Sequence, residues 1–245
     1  MPVDSSQVVV AFAVFAGAVV SGFAGFAFSA VAGAILFHVL PPREAVPFMM
    51  ACSLCLQLVS LVSLRSHMQW LRAVPLVAGG LMGLVPGLWL LERVDVTVFR
   101  IGFGVFLAAY AAYMLARPVL RATEEKPATL RDGAVGFAGG VVGSLTAMPG
   151  AVLTIWSDWC GVPKDRQRGL VQPYIAAMQV AALVLLAYRR GVSETLVGLL
   201  GPSLVPLAAG GAVGLALFGS VDERLFRRAV LCALLASGLS FFAYR

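Results

Sequence analysis

VDVTVFR, residues 94–100, and VDERLFR, residues 221–227, carry one phrase, V-D-x-x-x-F-R, set 127 positions apart in a chain of 245. The register holds beyond the phrase. At the same offset Pro75 matches Pro202, Gly83 matches Gly210 and Gly87 matches Gly214, and at offset 126 Pro47-Phe48 matches Pro173-Tyr174. So many matches in register point to an internal duplication. The phrase reads as a loop-to-helix junction in each copy, with Asp95 and Asp222 as N-terminal caps and Arg100 and Arg227 as interfacial anchors.

Composition names the solvent. The chain is 60% hydrophobic and 12% charged with mean hydropathy +0.92, whereas soluble domains carry roughly 25% charged residues. Most of the surface is therefore expected to face lipid. The 26 glycines suit membrane helices, whose backbones approach closely where side chains are small. Four cysteines do not make a disulfide framework. Cys52 and Cys55, a C-x-x-C inside an apolar run, read as small packing residues, with a redox role as the alternative. His38 and His67 stand far apart with no ligand cluster around them, so no metal and no cofactor is expected. The opening MPVDSSQ has no basic residue, so no secretory signal peptide is expected. The net charge of +6 is spread over short loops, which excludes a nucleic-acid stripe. Trp70, Trp89, Trp156 and Trp159 fit interfacial belts.

Six apolar stretches approach or reach the length of a spanning helix: 45–64, 71–91, 99–116, 170–188, 195–218 and 228–244. Four are shorter: 8–22, 26–40, 133–147 and 149–161. The first short pair is broken at Gly22 and Gly25, the second at Met148, Pro149 and Gly150. Each half therefore reads as a short pair followed by three long helices. If each pair returns to its own side, six Lys/Arg fall on the N-terminal side and twelve on the other. If each pair were one broken span, the count would be nine against nine. Basic loops stay cytoplasmic, so the first arrangement is preferred. The expected fold is an all-α polytopic membrane protein of two inverted repeats, each a pair of short broken or re-entrant helices plus three long transmembrane helices. The N-terminal repeat is residues 1–116, a cytoplasmic linker 117–132 and the C-terminal repeat 133–245. The N-terminus lies outside, and the protein sits in the inner (cytoplasmic) membrane.

Inverted repeats with paired short helices are a transporter design, in which the helix ends at the breaks meet substrate. Irregular backbone at membrane depth is tolerated only where protein or a cavity surrounds it, although glycine-rich breaks also serve tight packing. Candidate substrate-binding residues are Gly25, Ser29, Gln57, Ser144, Thr146, Gly150, Gln172 and Gln179. Gln172 and Gln179 share a helix face; their amides either donate to an oxyanion or satisfy broken backbone. Gln57 is their weaker counterpart in the first half. The hydroxyls of Ser29, Ser144 and Thr146 either cap the breaks or touch substrate. Gly150 leaves room for close approach. Asp158 is a candidate for coupling, although its place near a basic loop favours one side of an interfacial ion pair. Arg168 is placed to attract anions to the mouth.

The stretch TAMPGAVLTIWSDWCGVPKDRQRGLVQPYIAAMQ (146–179), with its A-M-P-G break, Lys-Asp-x-x-x-R and Gln-Pro-Tyr, resembles the sulfite exporter TauE/SafE family of anion permeases. The first half, GAVVSGFAGFAFSAVAGAILFHVLPPREAVPFMMACSL, is similar in layout. Where many members of that family carry a glycine cluster, this chain has Gly25-Phe-Ala-Phe-Ser29. The resemblance implies a permease for sulfite, sulfonates or other small sulfur-containing or organic anions, working by alternating access. Its partners are a small anion and the lipid bilayer, with a coupling proton or ion and a homo-oligomer left open and no nucleic acid. Two other classes compete. A membrane-embedded enzyme would need a nucleophile with a base, or metal ligands, and none is visible. A non-transporting scaffold needs no broken helices.

Overall fold

The computed structural model describes residues 5–24, 27–64, 70–116, 129–217 and 222–243. Among them it has ten helices and no strand. These are α1 (Ser5–Ala24), α2 (Phe28–Val39), α3 (Pro42–Leu64), α4 (Trp70–Leu91), α5 (Val96–Ala116), α6 (Thr129–Thr146), α7 (Gly150–Trp159), α8 (Lys164–Arg190), α9 (Glu194–Leu217) and α10 (Glu223–Ala243). The order is that of the sequence reading: a broken pair, then three long helices, twice. Five helices are long and apolar enough to cross a membrane: α1, α4, α5, α8 and α9. The chain is a multi-pass membrane protein.

Local chemistry sets the boundaries. Asp95 Oδ1 accepts the N–H groups of Thr97 (2.8 Å) and Val98 (3.3 Å) and caps α5. Asp222 Oδ1 accepts Leu225 N–H at 3.3 Å at the start of α10. Gly191, at φ 73°, ends α8, in a left-handed conformation that a side chain would disfavour. Within each pair the first helix outruns its apolar stretch: α1 has 20 residues and α6 has 18, or ~30 and ~27 Å at 1.5 Å per residue. Their polar first turns, Ser5 to Gln7 and Thr129 to Asp132, are helical although hydrophobicity does not mark them. α6 thus opens inside the stretch read as linker. Only the second helices are short, with 12 residues in α2 and 10 in α7.

The chain packs as two compact units, residues 1–56 with 94–117 and 192–245, and residues 57–93 with 118–191. Each draws helices from both sequence halves. In the first unit α1 runs parallel to α9. A Cβ on Gly210 would meet the Phe15 carbonyl, and one on Gly214 would meet that of Val19. Helix α10 crosses beside α5 in the opposite sense, with Gly238 against Gly104 and Ala108 and the Arg227 guanidinium 3.5 Å from Met114 Sδ. Phe226, near the start of α10, packs on Phe23 at 4.0 Å between centroids, and Phe241, near its end, stacks on His38 at 4.4 Å. Helix α2 therefore folds back from the end of α1, and the pair returns to the end where it began. Its last turn is held by Arg100, whose Nη2 donates to the His38 carbonyl at 3.4 Å, a cation at a helix C-terminus.

The second unit repeats this plan. Helices α4 and α6 are parallel and meet backbone to backbone. A Cβ on Gly79, Gly83, Gly136 or Gly140 would collide with the main chain of Gly133, Phe137, Leu76 or Gly80 respectively. Helix α8 lies parallel to α4, from Gly80 against Tyr174 and Met178 to Glu92 paired with Arg189 at 3.8 Å. Helix α7 runs back along α6, with Pro149 beside Gly143, Leu153 beside Gly139 and the Arg131 guanidinium 5.6 Å from the Trp156 ring. This pair, too, returns to its starting end. Cys52 is buried and Cys55 exposed, and both are free thiols.

Candidate functional site

The α6–α7 reversal is the most enclosed irregular backbone in the second unit. Thr146, Ala147, Met148, Pro149 and Gly150 are all buried. Ala147 has φ 56°, and Ala27, at the α1–α2 break, has φ 75°; these are the positive-φ residues other than glycine among the described residues. Both breaks thus hold an alanine in a conformation that costs of order 1 kcal/mol or more. Thr146 holds the reversal together: its hydroxyl donates to the Val142 carbonyl (2.8 Å) and accepts Met148 N–H (3.2 Å). No side chain caps the start of α7. Pro149 brings no N–H, which suits a first-turn position.

Eight of the ten buried polar or charged side chains among the described residues lie in this second unit: Gln57, Asp132, Ser144, Thr146, Ser157, Gln167, Gln172 and Gln179. Gln179 is 1% exposed. Gln172 and Gln179 both point into the interior from α8. Gln57, on α3, buries an amide Nε2 with no acceptor among the described residues. The Ser144 hydroxyl lies 2.6 Å from the Gly140 carbonyl and 3.3 Å from that of Leu84, and so ties α6 to α4. At Gly150 an added Cβ would meet Ile175 and Val171. The approach that this glycine permits is that of α8, on the turns flanking Gln172. Asp158 accepts from Gln167 Nε2 at 3.2 Å, and the same amide donates to the Thr154 carbonyl at 3.0 Å, which fixes the end of α7 to the start of α8. Arg168 is exposed. Ser29 is buried in the first turn of α2 in the first unit, and Gly25 lies outside the described residues.

Three features of the unit escape sequence reasoning. Tyr174 is fully buried, and its hydroxyl donates to the Gly136 carbonyl at 2.7 Å through a slot walled by Gly80 and Gly139. Its match to Phe48 marked the repeat but not this bond. Ser157 is 0% exposed, yet one serine in an apolar run gives no signal of depth. Asp132, 7% exposed, follows Arg131 directly, which makes it look solvated. Among the described residues no group of three or more His, Cys, Asp or Glu could hold a metal ion.

A family model described as Sulfite exporter TauE/SafE matches residues 9–241, nearly the whole chain. No curated protein and no solved structure matches it.

Proposed function

The chain belongs to the sulfite exporter TauE/SafE family, and from that premise we propose that it is a secondary transporter for sulfite, a sulfonate or another small sulfur-containing or organic anion. It works by alternating access in the cytoplasmic membrane. One observation in the structure supports this most: a wholly buried chain reversal, residues 146–150, lies in a unit whose interior carries eight of the ten buried polar side chains. Burying such groups is costly unless they are satisfied, and a bound oxyanion satisfies donors such as amides and N–H groups. Gln172, Gln179 and Gln57 are the first candidates to touch it, with the reversal at Gly150 behind them. Thr146 and Ser144 hold that backbone in place. Asp158 belongs to the α7–α8 clasp and Arg168 to the mouth. Gly25 and Ser29 are the first-half counterparts.

The reading includes the inverted repeat. Both hairpins return to their starting ends, so three long helices carry each half across, an odd number. The six-to-twelve charge division then puts the N-terminus outside and the 117–132 segment in the cytoplasm. No enzymatic step enters this account.

The test combines transport with stability. Proteoliposomes with purified protein should take up sulfite or methanesulfonate in exchange for the same anion trapped inside. Gln172→Leu and Gln179→Leu should each weaken binding by ~1–3 kcal/mol, the scale of a charge-assisted hydrogen bond, or roughly tenfold to a hundredfold in affinity. Their melting without anion should stay unchanged. Normal affinity combined with lowered melting would reassign both amides to the backbone.

A further inference from the structure

Among the described residues one charged side chain is buried, that of Asp132. An ionisable group inside a membrane protein is costly and calls for a function. The remaining described acids are accounted for by exposure or by partners. Asp95 and Asp222 cap helices at the surface, Glu92 pairs with Arg189, Asp158 receives Gln167, Glu44 is half-buried in the first turn of α3 and Glu194 is exposed. Asp132 differs. It sits in the first turn of α6, where the helix dipole favours a negative charge. Its Oδ1 is buried without a hydrogen bond among the described residues and lies 3.9 Å from Arg131 Nε, an ion pair beyond hydrogen-bond reach.

The groups around it come from each neighbouring helix. Arg131 is adjacent on α6, Arg72 stands on α4 and Cys160 follows α7, all close enough to act on it or on one another electrostatically. Helix α8 brings the exposed Arg166 to the same end. On α7, Ser157 lies between Trp156, which faces Arg131, and Cys160. Its hydroxyl is wholly buried and has no hydrogen-bond partner among the described residues. Two buried oxygens at one end of the α6–α7 hairpin thus lack hydrogen-bond partners among the described residues, beside two guanidinium groups.

We propose that Asp132 is the proton-binding carboxyl of this carrier, and that its protonation frees Arg131 and Arg72 to attract the anion. The proposal rests on the transporter reading above. The chemistry is one equilibrium: the carboxylate takes a proton from water and becomes the carboxylic acid, with no electron transferred. With Asp132 ionised, the three side chains sum to one positive charge; with it protonated, to two. The anion therefore binds better to the protonated form. By reciprocity, a bound anion draws a proton onto Asp132. Proton and anion then travel together.

The experiment reads protons directly. Purified full-length protein in a weak buffer with a pH indicator is mixed with methanesulfonate, whose charge is fixed over the working range, or with sulfite. The wild type should take up as much as one proton per anion bound, and Asp132→Asn should bind anion with no uptake. Equal uptake in Asp132→Asn, or anion binding without uptake in the wild type, overturns the proposal and leaves the transporter reading standing. Failure of the wild type to bind or exchange either anion removes the transporter reading and this one with it. If Asp132→Asn does not fold, Arg72→Gln, a change at an exposed side chain, serves instead. Losing that cation should raise the pH of half-maximal uptake, and an unmoved midpoint overturns the proposal.

Discussion

The two units are built on the same seam and filled with opposite interiors. In the second unit Gly83 and Gly87 of α4 meet the carbonyls of Phe137 and Val141; in the first, Gly210 and Gly214 of α9 meet those of Phe15 and Val19. The glycines correspond at the 127-residue offset, and the facing residues keep the same spacing of four. Three residues on, the units part. The second has Ser144, hydrogen-bonded to two carbonyls, where the first has Gly22. From there the second unit collects amides, hydroxyls and a carboxylate. The first instead joins Phe37, Phe99, Phe103 and Phe241 in edge and stacked contacts. The seam is a backbone device, indifferent to what lies beside it, so the two units share it while their interiors differ. An aromatic interior holds helices by area and shape. A polar one is expensive unless it handles a polar ligand.

The sharpest way to break the comparison is by sidedness, because the outcome is all or none. In a variant with the four native cysteines replaced by Ala, Asp4→Cys and Glu125→Cys should react with an impermeant thiol reagent from opposite faces of the membrane. Labelling of both from one face would mean an even number of crossings in the first half and would end the inverted relation.

Next in size is the seam itself. Gly83→Leu and Gly210→Leu both force a side chain into facing main chain, which cannot yield as a side-chain tip can. Overpacking costs ~1–3 kcal/mol even where side chains can shift, so each variant should lose most folded protein on size-exclusion chromatography. A large loss in one unit and none in the other would show that the seams are not equivalent.

The smallest effect lies at the junction phrase. Asp95 accepts two N–H groups at the start of α5. Asp95→Asn should therefore lower the melting temperature slightly at neutral pH. Donation from Thr97 and Val98 holds the Asp95 carboxyl below its usual range. Its stabilisation is thus present in full above the ordinary carboxyl value of ~3.9 and fades as pH falls through the lower folded value. The gap between wild type and Asp95→Asn should close only in that acid range.

Much of this was legible in the sequence because lipid imposes simple rules. The long helices announce themselves as apolar runs, the breaks as Gly or Pro between short ones, and the junction phrase as paired aspartates that do cap α5 and α10. Partner choice was not legible. Gly79, Gly83 and Gly87 at spacing four declare a close-packed face, but nothing in that spacing says that the face belongs to α6 and that of Gly210 and Gly214 to α1. Asp132 was hidden because charge patterns are read locally. Beside Arg131, after a stretch rich in charge, it resembles a linker residue, yet in the fold it is buried. Tyr174 was hidden for the same reason: its acceptor, Gly136, lies 38 residues away.

The crosswise seams also dictate a schedule of birth. Helix α4 meets its partner α6 soon after it leaves the ribosome, and α8, which closes the second unit over the reversal, follows directly. Helix α1 is made first but must wait for α9, whose seam glycines come 195 residues after their contacts at Phe15 and Val19. Throughout that interval the first hairpin stands in the membrane with its small-residue face unclosed. A chain halted before α9 would carry that open face as a visible mark of incompleteness, one that chaperones and proteases of the insertion pathway can read.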